Sequence, residues 1–317
     1  MGGGESEKRV FTKGLVFHEN YLLHETGGHP ERKERLMSIM DYLHEEAVLT
    51  QLAMVEAREA TLQEVALNHD PDYIEEIRRF CGRGGGHLDP DTVVCRDSYK
   101  AALWAVGGAL AAVDAVLEGR LSSVFCAVRP PGHHALRNRA MGFCIFNNVA
   151  VAARYAREKG VERVLIVDWD AHHGNGTQVA FYDDPSVFYF STHQWPLYPG
   201  TGRAEERGVG AGLGYTLNCP LPPGSGDEDF FRVYDQEFLP VALEYRPELI
   251  LVSAGYDAHE LDPLTSLELT TQGYGRLAHR VARLAQEVRA PVVALLEGGY
   301  SLSALARSVA ATIEALP

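Results

Sequence analysis

Short apolar runs alternate with amphipathic stretches along most of the chain, the pattern of strands and helices taking turns. The run at 164–167, Val-Leu-Ile-Val, is unbroken rather than alternating, which suits a parallel strand covered on both faces. Similar runs predict strands at 14–17, 52–55, 123–128, 187–191, 215–218, 249–253 and 291–296. Leu36, Ile39, Met40 and Leu43 at helical spacing predict a helix over 31–45, opening just after Pro30. Further helices are predicted over 72–80, 98–117, 148–159, 228–245 and 270–288, and in the segment ending at Leu316. Thr61 and Glu64 read as a capping box, and Gly107-Gly108 inside an Ala-rich helix lets a neighbour pack closely. The glycines at 82–86 predict a loop that can lie at the rim of a site. They are not a phosphate loop, because no Gly-Lys-Ser/Thr follows. The expected fold is α/β, a doubly wound sheet flanked by helices, with no linker or internal repeat.

Four predicted strand ends carry dense polar chemistry. His133 and His134 follow Arg129-Pro-Pro-Gly; Asp168, Asp170 and His172 close the 164–167 run; Asp257 follows 249–253, and Tyr300 follows 291–296. Because strand side chains alternate, Asp168 and Asp170 share one side beyond the carboxyl end of their strand, where open α/β sheets place ligands. Alone, Asp-Trp-Asp is a turn and His-His is surface; a doubly wound sheet would gather all four ends along one edge. Asp170, His172 and Asp257 then supply two carboxylates and one imidazole, a set that leaves a metal position open for water and substrate. Two anionic ligands nearly neutralise a divalent ion and acidify its water less than three imidazoles would, so a separate base is needed. His133 and His134 are the candidates. Asp168 would fix the tautomer of one ring, and Asn175 would orient the other more weakly. Tyr300 brings a phenol that can donate to a developing oxyanion.

Composition narrows the partners. With 317 residues, 46% of them hydrophobic and 23% charged, the chain can bury a large core. A formal charge of −14 argues against direct nucleic-acid binding and is compatible with a cationic substrate. Cys81, Cys95, Cys126, Cys144 and Cys219 are odd in number and include no Cys-x-x-Cys, so they read as reduced thiols. No apolar run is read as reaching the roughly 18–20 residues of a membrane span, and no signal-peptide core is seen, so the expected location is cytoplasmic with no membrane partner. Residues 1–6 fit a loose myristoylation pattern, but 1–9 is read as a flexible leader ahead of a catalytic domain over 10–317.

The motifs, taken in order, resemble the zinc-dependent histone deacetylase family of the arginase/deacetylase superfamily. They are His29-Pro-Glu-Arg, Arg129-Pro-Pro-Gly-His-His, Gly142-Phe-Cys-Ile-Phe-Asn-Asn, Val167-Asp-Trp-Asp-Ala-His-His-Gly-Asn-Gly-Thr, Tyr198-Pro-Gly-Thr-Gly, Ser253-Ala-Gly-Tyr-Asp and Glu297-Gly-Gly-Tyr. The resemblance implies one α/β domain around an eight-stranded parallel sheet, with one Zn2+ on Asp170, His172 and Asp257. It implies His134 as acid/base, His133 with Asp168 as an electrostatic pair, and Tyr300 polarising the amide carbonyl. Gly142, Phe143 and Tyr198 would line an acyl-lysine tunnel, although the family commonly has phenylalanine at the position of Tyr198. Asn175 stands where class I members carry aspartate, which points to a class II-like member. Tyr300 is retained where some class II enzymes have histidine, so an active enzyme is expected. The resemblance also implies K+ sites, one near Asp168 and Ser191 and another near Phe181, Val187 and Tyr215. An internal arginine beside an acetate-release cavity would be Arg35, with Arg32 near enough to leave the register open.

Removal of acetyl or other acyl groups from lysine in proteins or peptides is the activity the resemblance implies. An arginase-like two-metal site would need bridging carboxylates, but Gly174 and His259 stand two residues beyond His172 and Asp257. A non-catalytic acyl-lysine binder would need a damaged constellation, and every expected group is present. An acetylpolyamine amidohydrolase is the alternative. Polyamine-selective relatives carry a glutamate after the Asp-Pro pair that follows the second metal-binding aspartate, and here Asp262-Pro263 is followed by Leu264. An apolar residue there cannot pair with a distal ammonium and favours a lysine stem or peptide backbone. Asp89, Asp91 and Asp97 are the loop acids that could take over that role.

Overall fold

Burial decides which segments become the sheet. The computed structural model describes residues 12–317, so the leader read at 1–9 lies outside the described residues. Its strands are β1 (Lys13–Val16), β2 (Ala53–Val55), β3 (Gly85–His87), β4 (Val93–Cys95), β5 (Ser123–Cys126), β6 (Val164–Asp168), β7 (Val187–Gln194), β8 (Thr216–Leu221), β9 (Leu249–Ala254) and β10 (Val292–Leu296). Eight of them pair in the order β2-β1-β5-β10-β9-β6-β7-β8, all in parallel. Every residue of β5, β6, β7, β9 and β10 is buried, as expected of a parallel sheet covered on both faces.

Helix Asn148–Glu158 joins β5 to β6, and Thr271–Val288 joins β9 to β10. These crossovers run in opposite directions along the sheet, and right-handed crossovers of opposite direction lie on opposite faces. Ser98–Leu117 packs beside the first helix; Leu302–Ala315 packs beside the second and against Glu34–Glu45. The neighbours β6 and β9 send the chain away on opposite sides, to β7 and to β10. The crevice beyond their carboxyl ends is therefore a topological switch point.

Several expectations need correction. Ser98–Leu117 is, after all, 20 residues long and contains an 18-residue stretch with a mean hydropathy of 1.5, enough by length and composition to cross a membrane, but 72% of that stretch is buried within the protein, as in a core helix. A Cβ on Gly107 would lie 1.9 Å from Arg58 O, and one on Gly108 would lie 2.3 Å from the Tyr21 hydroxyl. The helix predicted over 228–245 is Asp227–Val233 and Leu239–Tyr245 joined by a π turn at Tyr234–Phe238. Pro240 has no N–H to continue a regular ladder, and the wider turn accommodates that gap. The glycine-rich loop at 82–86 is partly strand: Gly85 and Gly86 pair with Cys95 and Val94 in the antiparallel β3–β4 ribbon.

Candidate active site

The residues read from the strand ends converge on the switch point. Asp168 is the last residue of β6, register partner of Ser191 in β7 and Ser253 in β9; Asp170 and His172 follow it. Asp257 comes from the loop after β9. Among the described residues, Asp170, His172 and Asp257 bring their ligand atoms within 4.8 Å of one another. His172 Nδ1 faces Asp257 Oδ2 at 2.8 Å and Asp170 Oδ1 at 3.2 Å. Each carboxylate is pinned by its other oxygen: Ala171 N–H donates to Asp257 Oδ1, and Gly298 N–H to Asp170 Oδ2, both at 2.8 Å. Two fully buried carboxylates this close repel each other out of water, and a divalent cation among these donors answers that repulsion. The donor set fits a metal ion.

His133 and His134 sit side by side, ring centroids 4.0 Å apart, yet their surroundings differ. His133 Nδ1 meets Asp168 Oδ2 at 3.1 Å, and His134 Nδ1 meets the neutral Asn175 Oδ1 at 2.8 Å. Burial alone would lower His133, but the carboxylates of Asp170, Asp168 and Glu297 outweigh it and hold the ring well above the ordinary histidine range. His134 is held well below that range, first by burial and then by the neighbouring His133 and His172 rings. The loop that carries both rings is tied down by Glu297, whose Oε2 accepts from Gly132 N–H at 2.6 Å and His133 N–H at 3.2 Å.

Above these groups lies a cleft of about 250 Å³, whose lining includes Phe143, Leu197, Tyr198, Leu264, Tyr300 and Asp91. Gly142 and Phe143 occupy a two-residue turn, φ 56° and 70°, closed by Met141 and Cys144 exchanging backbone hydrogen bonds. A side chain at Gly142 would bring its Cβ 2.4 Å from His134 Cδ2, so glycine is required there. Phe143 bears a left-handed backbone, a strain that aims its ring at the site. Phe143 meets Tyr300 edge-on at 5.8 Å, and Tyr198 meets His134 at 5.3 Å.

A family model described as the histone deacetylase domain matches residues 29–316. The chain belongs to the histone deacetylase family. The "Probable deacetylase" of Archaeoglobus fulgidus is 45% identical over 91% of this chain and 81% of that protein. The polyamine deacetylase HDAC10 of Homo sapiens is 39% identical, over 95% of this chain but 47% of the human protein. The crystal structure of the HDA15 HD domain matches with a TM-score of 0.92 at 36% identity, covering 96% of this chain and 88% of that one. The chain is thus a deacetylase with an eight-stranded parallel sheet and an Asp170/His172/Asp257 metal site at its switch point.

Other residues of this deacetylase fall into place around that centre. Arg35 is fully buried and donates to Gly299 O at 2.6 Å and to Glu31 at 3.1 Å, whereas Arg32 pairs with Glu34 at the surface; the internal arginine is Arg35. Tyr189 donates to Asp168 Oδ2 at 3.1 Å. Phe181 and Tyr215 both offer carbonyls that already accept backbone N–H groups, from Asp184 and Tyr189, and Val187 N–H donates to Asp184 O. Glu297 and Asp262 also hold the site, although the sequence shows Glu297 only as part of a motif and Asp262 only as the start of the Asp-Pro pair before Leu264. The missed signal is a carboxylate just after a strand or beside a site loop, with no cation near it in sequence.

Proposed function

We propose that this deacetylase removes acetyl groups from the side-chain amine of lysine in proteins or peptides, with zinc as its metal, in an intracellular setting. The observation that carries this reading is the cleft: apolar and aromatic walls from Phe143, Leu197, Tyr198 and Leu264 lead to a base holding Asp170, His172, His133, His134 and Tyr300. Such walls suit the aliphatic stem of lysine and leave the amide at the polar base. Asp170, His172 and Asp257 would hold the zinc, which when bound supplies a Lewis acid and an acidified water. His134, kept neutral by burial and oriented by Asn175, takes the proton from the attacking water and passes it to the leaving amine. His133, paired with Asp168, holds positive charge beside it. Tyr300 donates a hydrogen bond to the substrate carbonyl oxygen as negative charge develops there. Monovalent cations near Asp168 and Ser191, and near Phe181, Val187 and Tyr215, belong to the same reading. Five unpaired cysteines support the intracellular setting.

Chelation should abolish amidase activity, and zinc should restore it. Asp170→Ala and Asp257→Ala should lose metal and activity together, by metal analysis and turnover on one preparation. Full metal and full turnover in either variant would show that the ligands are misassigned. Asp91 in the cleft wall favours a second reading, hydrolysis of acetylpolyamines, because a carboxylate there can meet a distal ammonium. We expect acetyl-lysine peptides to be preferred over acetylspermidine, and Leu264→Glu to move the ratio of kcat/KM values toward the polyamine. Equal or better wild-type efficiency on acetylspermidine would select the second reading.

A further inference from the structure

Tyr300 ends a segment whose main chain is held largely by charged side chains. Arg35 donates to Gly299 O at 2.6 Å and also to Glu297 O, and Gly298 N–H donates to Asp170 Oδ2. Tyr300 N–H itself donates to Asp262 Oδ2 at 2.7 Å. Asp262 lies on the loop after β9 and is 8% exposed. Its other oxygen accepts from Leu264 N–H at 3.0 Å, an Asx turn that sets the plane of the carboxylate. Asp262 N–H is in turn fixed to His259 O at 2.8 Å. One side chain therefore bonds both the residue proposed to meet the carbonyl oxygen and the residue at the mouth of the cleft.

We propose that Asp262 is a positioning residue for amide hydrolysis, which sets where the Tyr300 phenol sits and ties that position to the loop bearing Leu264. Gly298 and Gly299 impose few steric limits on the chain before Tyr300, and Gly299 adopts φ 118°, a conformation other residues rarely take. The backbone hydrogen bonds to Arg35, Asp170 and Asp262 then place the main chain at Tyr300, while packing against Phe143 and Arg35 holds its ring. A displacement of about 1 Å at a reacting group can cost on the order of a hundredfold in rate. The inference rests on the reading of Tyr300 as the oxyanion donor.

The test is a kinetic cycle of wild type, Asp262→Asn, Tyr300→Phe and the double variant, with metal content and thermal midpoint measured on each. Asparagine is nearly isosteric, but its amide nitrogen cannot accept, so one of the two N–H groups loses its partner. Asp262→Asn should lower kcat by about tenfold or more while KM moves by less than about threefold and metal content is unchanged. In the Tyr300→Phe background the same change should alter kcat by less than about threefold, because the group being positioned is already gone. An equal loss in both backgrounds, or wild-type kcat in Asp262→Asn, overturns the proposal. Undiminished turnover in Tyr300→Phe instead overturns the reading of Tyr300, whatever Asp262 does. Asp262→Ser, whose single oxygen cannot span both N–H groups, should repeat the kcat loss. If neither Asp262 variant gives folded, metal-loaded protein, Asp262 is a structural residue and the proposal falls.

Discussion

Tyr300 is held edge-on by Phe143, with the Arg35 guanidinium 5.1 Å over its ring, so a substitution that spares the ring spares the packing. Tyr300→Phe removes only the hydroxyl. If that hydroxyl stabilises negative charge on the substrate oxygen, kcat should fall by about a hundredfold or more with metal content and melting temperature unchanged. Wild-type turnover in this variant would remove Tyr300 from the chemistry. At this scale the sequence was most informative where residue type dictates chemistry: two aspartates and a histidine at strand ends declare a metal site. It was least informative where a residue acts through shape. Gly142 reads as one letter of a motif, and only the 2.4 Å approach of a hypothetical Cβ to His134 shows what it does.

Elements meet through buried polar joints, and one of them makes stability depend on pH. His69 follows the short Leu62–Val65 helix; its Nε2 accepts from Asn147 N–H at 2.8 Å, and Asn147 caps the helix leading into β6. Burial lowers the His69 pKa from 6.5 to about 4. Between those values the unfolded chain binds a proton that the folded chain refuses, so the contribution of His69 is full above 6.5 and is lost as pH falls toward 4. The stability gap between wild type and His69→Gln should therefore narrow from pH 7 to pH 5 by on the order of 1–2 kcal/mol in urea titrations. A gap that is constant or widens would contradict a neutral His69. Legibility differed among elements for physical reasons. The apolar runs of β6, β9 and β10 announce buried parallel strands, but β3 is Gly-Gly-His, with no side-chain pattern to read, and it forms only because β4 pairs with it. The Asp227–Tyr245 segment keeps helical periodicity through its π turn, which hides the interruption.

At the scale of the whole molecule the order of strands carries more than the position of the site. β2, β1 and β5 form one flank of the sheet, β9, β6, β7 and β8 the other, and β10 alone bonds to both, pairing Ser123–Cys126 on one side and Ile250–Ala254 on the other. Neither flank can bury its inner edge against the other until β10 arrives, and long-range parallel pairing of this kind forms slowly. During synthesis β10 is made after every other strand of the sheet, so from the time β9 emerges until β10 follows it the nascent chain holds two open edges, β5 and β9, that the finished fold buries completely. Ribosome-arrested chains of increasing length should stay protease-sensitive until Val292–Leu296 has emerged, then become resistant in one step. Resistance gained while β10 is still inside the tunnel would mean that one flank folds alone. The last strand to be made is the keystone, and the metal ligands just beyond β6 and β9 gain their final surroundings only when Gly298, just beyond that strand, reaches Asp170.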